Sequence, residues 1–422
     1  MKRALVFLIL FGIILSFFPN TGSAANGAQV VSTKYGDLNG DNDVNSIDFS
    51  LMRKYLLGMT SDFPVSNGSV AGNVNGDNEV NAIDFSFMRK YLLGMISEFP
   101  VGSTIPGQPT MPPVSTPVPT KSPVPIKVPV VGGVLDASSI KTKYINVAYA
   151  NVSRSQTLDI YLPNEGNGPF PVIIAIHGGA FLGGSSNGSD IAPMVENGIN
   201  HGYAVVSLNY RFSTEAKFPK PMGDVKAAVR YVRANAAKYN FDTNKIAAWG
   251  DSSGGFLVSM LGTTANVSEL NSDTTDNLNY SSAVNAVVDW FGHIDFLTMD
   301  EQFRASHMTS AFGDTNSTSS PASQLIGQLV TLDPVLTEKA NPETYISTMT
   351  AATTPKFLIQ HGSGDNIVPY QQSTNFASKL KQSIGESNVT LEIINGAGHG
   401  GPEFYTQQNL DKVMAFLDGI FK

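Results

Sequence analysis

The sequence predicts an α/β protein: a mostly parallel central sheet covered by helices on both faces, preceded by a small all-α module. Three observations carry this expectation. From about residue 140 onward, short apolar β-branched runs alternate with helical patterns. Near the N-terminus a loop–helix unit occurs twice, at residues 36–59 and 72–95. A Pro-, Thr- and Ser-rich stretch separates the two regions.

Composition narrows the function. Of 422 residues, 42% are hydrophobic, enough for a sizeable core, and 15% are charged. Lys and Arg number 27 against 35 Asp and Glu, and the net charge of -8 disfavours nucleic acid and anionic membranes as partners. An uncharged polymer is the more natural one. The chain has 0 Cys, which excludes thiol catalysis, disulfides and thiolate metal sites. Lys2 and Arg3 precede an apolar run at 4–18, then Pro19 and small residues through Ala25. This is the pattern of a secretory signal peptide over residues 1–25, because about 15 apolar residues fall short of the roughly 20 that span a bilayer.

The duplicated unit reads GDLNGDNDVNSIDFSLMRKYLLGM and then GNVNGDNEVNAIDFSFMRKYLLGM, identical at 19 of 24 positions. Its first loop places Asp37, Asn39, Asp41, the Asp43 carbonyl, Asn45 and Asp48 at positions 1, 3, 5, 7, 9 and 12. That is the oxygen-donor spacing of an EF-hand calcium loop. The second loop offers Asn73, Asn75, Asp77, Glu79, Asn81 and Asp84. Asn42 and Asn78 replace the usual Gly at position 6, a substitution that a left-handed Asn tolerates. With two ligand carboxylates against three, the second site is expected to be the weaker. Each loop leads into a helix with apolar residues at helical spacing, Ile47, Leu51 and Tyr55 in one and Ile83, Phe87 and Tyr91 in the other.

Residues 32–98 thus resemble a type I dockerin, the module that plugs cellulosomal enzymes into the cohesins of a scaffoldin. The resemblance implies two structural calcium ions and a cohesin partner. It places the cohesin contacts at Ser46, Ile47, Arg53 and Lys54 and at Ala82, Ile83, Arg89 and Lys90. Read without it, the Arg-Lys pairs are a solvated helix face. Residues 99–133 then form a semi-rigid, polyproline-like linker, since Pro fixes φ and withholds a donor.

Residues 134–422 carry the chemistry. Strands are expected at 145–150, 158–161, 172–177, 204–208, 246–249, 284–289, 357–360 and 389–394. Helices are expected near 190–200, 224–239, 253–262, 371–383 and 407–421. Ligands on such sheets bind at the carboxyl ends of the strands. Gly250-Asp251-Ser252-Ser253-Gly254 follows one strand and opens a helix, a G-x-S-x-G elbow that holds the Ser hydroxyl clear of the backbone. The five-residue pattern is weak alone, and the strand-turn-helix setting is its confirming context. A flavodoxin-like GDS hydrolase would carry the motif near its start, not after four strands.

A nucleophilic Ser needs a base, and the base needs an orienter. His399 lies in a glycine-rich loop, 396–401, after the last strand, and Asp365 follows the strand KFLIQ. The order Ser252, Asp365, His399 matches one known triad order. Asp295 and Asp333 are the substitutes for Asp365. His177 and His361 read as structural. After the strand PVIIAI come His177-Gly178-Gly179-Ala180, where the amides of Gly178 and Gly179, with that of Ser253, would form an oxyanion hole. No two His lie at the close spacing that a zinc deacetylase would use.

These motifs resemble α/β-hydrolase esterases with an HGGA-type oxyanion loop, more narrowly bacterial carbohydrate esterases of the feruloyl and acetyl-xylan type. The segment VVDWFG fits that group, and the resemblance places Trp290 against the substrate. It implies a secreted cellulosomal serine esterase acting on plant cell-wall polysaccharide such as xylan, with no catalytic cofactor. Two alternatives stand beside it: a prolyl-oligopeptidase-type serine peptidase, and a non-catalytic polysaccharide-binding or assembly subunit. Residues 295–350, rich in Ser, Thr and Met, are expected to cap the site.

Overall fold

The computed structural model describes residues 34–56, 60, 62–65, 67–76, 80, 82–92, 96–101, 130–131 and 133–422. The expected leader at 1–25 and most of the Pro-rich stretch lie outside the described residues. The chain divides into two compact units, Met1–Pro112 and Pro113–Lys422.

The first unit holds helices α1 (Ser46–Leu56), α2 (Gly68–Gly72) and α3 (Ala82–Leu92). Its core repeats with the sequence: Leu38 and Val74, and Met52 and Met88, are all fully buried. Phe49 stacks on its counterpart Phe85 at 4.1 Å, and the pairs Tyr55–Phe63 and Tyr91–Phe99 stack at 4.6 and 4.7 Å. Ile47, at helical spacing with Leu51 and Tyr55, is 56% exposed. The reason is the neighbouring carboxylate. Asp48 turns inward to accept the amides of Leu38 and Asn45 at 2.8 and 2.9 Å, which rotates Ile47 outward and aligns the buried face on Asp48 and Met52.

The second unit begins with a short hairpin, β1 (Val130–Val131) and β2 (Val134–Leu135). There follow β3 (Lys143–Ala148), β4 (Thr157–Tyr161), β5 (Phe170–Ile176), α4 (Ala192–Asn200) and β6 (Ala204–Leu208). Next come α5 (Lys220–Ala234), α6 (Ala236–Tyr239), β7 (Phe241–Asp251), α7 (Ser253–Thr263) and β8 (Ala286–Trp290). The short helices α8 (Met299–Ala305), α9 (Pro321–Ile326) and α10 (Pro334–Lys339) precede β9 (Lys356–Gly362), α11 (Gln371–Ile384), β10 (Val389–Ile394) and α12 (Gln407–Phe421). All eight expected strands are present. They form one sheet in the order β10-β9-β8-β7-β5-β6-β4-β3, parallel except where β4 pairs with β3 and β6.

Alternation along β5 shows how the sheet is covered. Val172, Ile174 and Ile176 enter the core shared with α5, α7 and α11, while Ile173 and Ala175 enter the one shared with α4 and α12. A strand buried on both faces has to be apolar throughout, which is why these strands read as continuous runs. Helix α5 starts at Lys220, earlier than the expected 224. Pro221 lies in its first turn, where the missing N–H has no intrahelical partner to lose.

Candidate active site

β7 delivers Asp251, and the chain turns sharply into α7 with Ser252 at φ 52° and ψ -117°. A non-glycine residue at positive φ is strained, so the surroundings must hold it. The Ser252 amide donates to the Trp290 carbonyl at 2.8 Å, tying the elbow to the end of β8. Gly254 lets the first turn of α7 approach β5: a Cβ there would lie 2.0 Å from the Ile176 carbonyl oxygen. The motif's glycine is thus dictated by the close approach of the backbones.

The three expected triad residues come together, from three different loops at the carboxyl side of the sheet. The Ser252 hydroxyl donates to His399 Nε2 at 2.8 Å, and His399 Nδ1–H donates to Asp365 Oδ2 at 2.7 Å. Asp365 Oδ1 accepts the amides of Ile367 and Val368 at 2.8 and 2.9 Å. His361 was expected to be structural only. Its Nε2 lies 3.2 Å from Asp365 Oδ2 and donates to the Val368 carbonyl at 2.9 Å, so it also steadies the acid. Burial pushes the Asp365 carboxyl upward, but the His399 and His361 rings beside it more than offset that and hold it well below the usual carboxylate range.

Two expectations are corrected. The Gly178 amide does not face the nucleophile; it donates to Asp251 Oδ1 at 3.0 Å and to Asp190 Oδ2 at 3.2 Å. The next residues curl back at φ 115° for Gly179, 59° for Ala180 and 62° for Phe181. Among the described residues no acceptor takes the amides of Gly179 or Ala180, and the Ser253 amide heads α7. The amides of Gly179, Ala180 and Ser253 are thus left free to donate. Trp290 is the second correction. It is fully buried, its Nε1 donates to Gln360 Oε1 at 2.6 Å, and its ring packs edge-on against Trp249 at 5.0 Å. It belongs to the core under β8, so Trp290→Ala is expected to cost about 3–5 kcal/mol of stability in denaturant unfolding. A variant of undiminished stability with altered substrate affinity would speak for the original expectation.

Met299, Ser310, Phe312, Thr315 and Ala322 line a narrow pocket together with Ile367, two residues beyond Asp365, and His293. His293 lies beside Phe181 at 5.8 Å, and its buried Nδ1 has no hydrogen-bond partner among the described residues. Burial first, then the neighbouring His399, pushes this imidazole down to about 3, so it is neutral and can accept or donate one bond. Sequence reasoning missed it, since a His after a strand carries no signal of its own.

The first oxygen-rich loop has its own geometry. Asn42 adopts the left-handed conformation at φ 66°. Asp37 accepts the Gly40 and Asn42 amides at 2.7 and 2.9 Å, and in the second loop Asn73 accepts the Gly76 amide at 2.9 Å. Asp37 and Asp48 are 6% and 0% exposed, and among the described residues no Lys, Arg or His pairs with either. Among the described residues no three acidic or His side chains converge on one point. A buried pair of carboxylates without a cation, ringed by Asn39, Asp41, Asp43 and Asn45, fits a hard divalent ion. Asp77, Glu79 and Asn81 lie outside the described residues. Ser46, Ile47, Lys54 and Arg89 are exposed, while the side chains of Arg53, Ala82, Ile83 and Lys90 are outside those described.

The strand order and the serine elbow define an α/β-hydrolase fold. The chain belongs to the BD-FAE family, whose model matches residues 158–380, and residues 35–93 match the Dockerin type I domain. A truncated form of a carbohydrate esterase from gut microbiota is 33% identical, with TM-score 0.58, covering 66% of this chain and 96% of that one. The bifunctional GH43-CE of Bacteroides eggerthii is also 33% identical, with TM-score 0.57, covering 65% of this chain and 35% of that one. Esterase LipC of Mycobacterium tuberculosis is 29% identical over 250 residues, 58% of this chain and 57% of that protein. The chain spans a little over half the length of the curated relatives it matches.

Proposed function

We propose that the chain is a secreted cellulosomal serine esterase that removes feruloyl or acetyl groups from plant cell-wall polysaccharide such as xylan. The observation that carries this reading is the continuous relay from Ser252 through His399 to Asp365, with hydrogen bonds of 2.8 and 2.7 Å. Ser252 Oγ attacks the ester carbonyl as its proton passes to His399 Nε2. The amides of Gly179, Ala180 and Ser253 receive the charge on the tetrahedral oxygen. His399 then gives its proton to the departing sugar hydroxyl, leaving an acyl-serine. Water, deprotonated by the same imidazole, releases the acid. The ionised Asp365 keeps the imidazole oriented and stabilises it when charged.

The organisation proposed is a leader at 1–25, a dockerin at 32–98, a linker at 99–133 and the esterase domain at 134–422. Asp37, Asn39, Asp41, Asp43, Asn45 and Asp48 would hold one calcium ion and the second loop another. Calcium supplies folding energy there by neutralising buried carboxylates. The exposed Ile47 and Lys54 support a cohesin-facing surface on α1. Product analysis tests the reading: the protein and its Ser252→Ala variant are incubated with acetylated and feruloylated arabinoxylan. Acid released only by the wild type supports it, and release of neither acid redirects the search to peptide substrates.

The pocket beside His293 is the place for the far end of a bulky acyl group. Filling its rim with Ser310→Trp is expected to lower kcat/KM for a feruloyl ester about tenfold, with less effect on acetate release. Equal effects on both esters would remove this pocket from acyl binding.

A further inference from the structure

One amide in the loop that follows β5 is held by two carboxylates from different elements. Gly178 N–H meets Asp251 Oδ1 at 3.0 Å, from the end of β7, and Asp190 Oδ2 at 3.2 Å, from the turn before α4. The fit is close, since a Cβ on Gly178 would lie 2.6 Å from Asp251 Oδ2. Asp251 is 7% exposed. Two ionised carboxylates aimed at one N–H, one of them buried, repel each other, which favours the arrangement with one of them neutral. We propose that Asp190 and Asp251 form a carboxyl–carboxylate clamp that acts as a positioning pair, fixing the oxyanion strand 179–181 through the Gly178 amide. This inference rests on the esterase reading above.

The clamp explains why Gly178 is diverted from the nucleophile. With its amide pinned backwards, the chain must curl, and the positive φ values of Gly179, Ala180 and Phe181 present the next amides instead. The chemistry around the pair assigns the proton. Burial first, and then the Asp190 charge, pushes Asp251 well above the usual carboxylate range, although its bonds to amides pull the other way. Asp251 is therefore the partner that keeps its proton to a higher pH than an ordinary carboxyl. The titratable groups facing the pair are Tyr405, Tyr210 and His177. Burial raises Tyr405 out of the way and does the same for Tyr210, although the hydrogen bond with Ser253 pulls Tyr210 the other way, and burial keeps His177 uncharged. As pH rises, Asp251 is the group that ionises. A folded-state value raised above the unfolded one means the clamp's stabilisation is present at low pH and lost as pH climbs through the folded value. Loss of the clamp misplaces donors needed only in the transition state, so kcat falls and KM does not.

The test is the pH dependence of kcat and KM for a soluble aryl ester, measured on the full chain and on Asp251→Asn and Asp251→Ala. Asp251→Asn keeps an oxygen for the Gly178 amide and cannot ionise. Its kcat at neutral pH should stay within about threefold of wild type, and the alkaline descending limb should vanish. Asp251→Ala should lose about a hundredfold in kcat at every pH, the scale of one oxyanion donor, with KM moving less than about threefold. Affinity for phenylboronic acid, which mimics the tetrahedral state on Ser252, should fall in parallel. An Asn variant that keeps the alkaline limb, a wild type without one, or a loss confined to KM overturns the clamp. If Asp251→Ala does not fold, the Asn profile decides alone. Absence of Ser252-dependent turnover in the wild type overturns the esterase reading itself, which separates that failure from failure of the clamp.

Discussion

Ser252→Ala is expected to lower kcat for ester hydrolysis on the order of 10⁶-fold, and His399→Ala by a similar factor, with the double variant no worse than either. Groups that act through one relay fail together. Asp365→Asn is expected to cost about 10⁴ in kcat, and the structure supplies the reason. Asp365 Oδ1 takes two amide donors, from Ile367 and Val368, so the oxygen of an Asn must occupy that side. Its NH₂ then points at His399 Nδ1, where Asp365 Oδ2 stood. The imidazole can meet a donor there only with Nδ1 unprotonated, which places its proton on Nε2. A protonated Nε2 cannot accept from Ser252. Steady-state rates with an aryl ester measure the effect, and Ser252 titration with a fluorophosphonate excludes contaminating wild type. Near-normal turnover by Asp365→Asn would remove this residue from the relay.

The triad was legible in the sequence because its signals are local. Gly250 and Gly254 report the tightness of the elbow within five residues, and the glycines around His399 report an exposed loop. The central strands were equally legible, since burial on both faces makes β5 and β6 apolar almost throughout. That same property hid the role of Trp290. In a strand buried on both faces, such as β8, nothing distinguishes a side chain directed at the site from one directed under the sheet. The partners of the Gly178 amide were invisible for another reason: Asp190 and Asp251 lie 12 and 73 residues away, and only the packed β5–β7 pair decides where that N–H points. Periodicity likewise grouped Ile47 with Leu51 and Tyr55 on one helical stripe. It could not register that Asp48, drawn inward by the amides of its own loop, outranks a neighbouring Ile for the buried position.

Chelation of calcium is expected to unfold the dockerin and abolish cohesin binding while leaving ester hydrolysis unchanged. The module is small, and among the described residues only seven apolar side chains form its buried core, Leu38, Val44, Met52, Phe63, Ala71, Val74 and Met88. Cores of that size rarely suffice without a metal or disulfide, and the chain has 0 Cys. The buried carboxylates of Asp37 and Asp48 accept amides of their own loop and meet no Lys, Arg or His among the described residues. An ion present at a hundred times its Kd contributes about 2.7 kcal/mol, and two ions contribute more. For a domain of this size each kcal/mol corresponds to roughly 4–8 °C, so chelation should lower one of two thermal transitions by 10 °C or more and leave the other in place. Asp37→Asn gives the first loop the Asn that the second carries at Asn73. Calcium titration by calorimetry should therefore show two unequal sites in the wild type and two nearly equal, weaker ones in the variant. Hydrolysis that disappears with the ion would mean that the esterase depends on the metal, because no group in its relay from Ser252 to Asp365 belongs to the calcium loops.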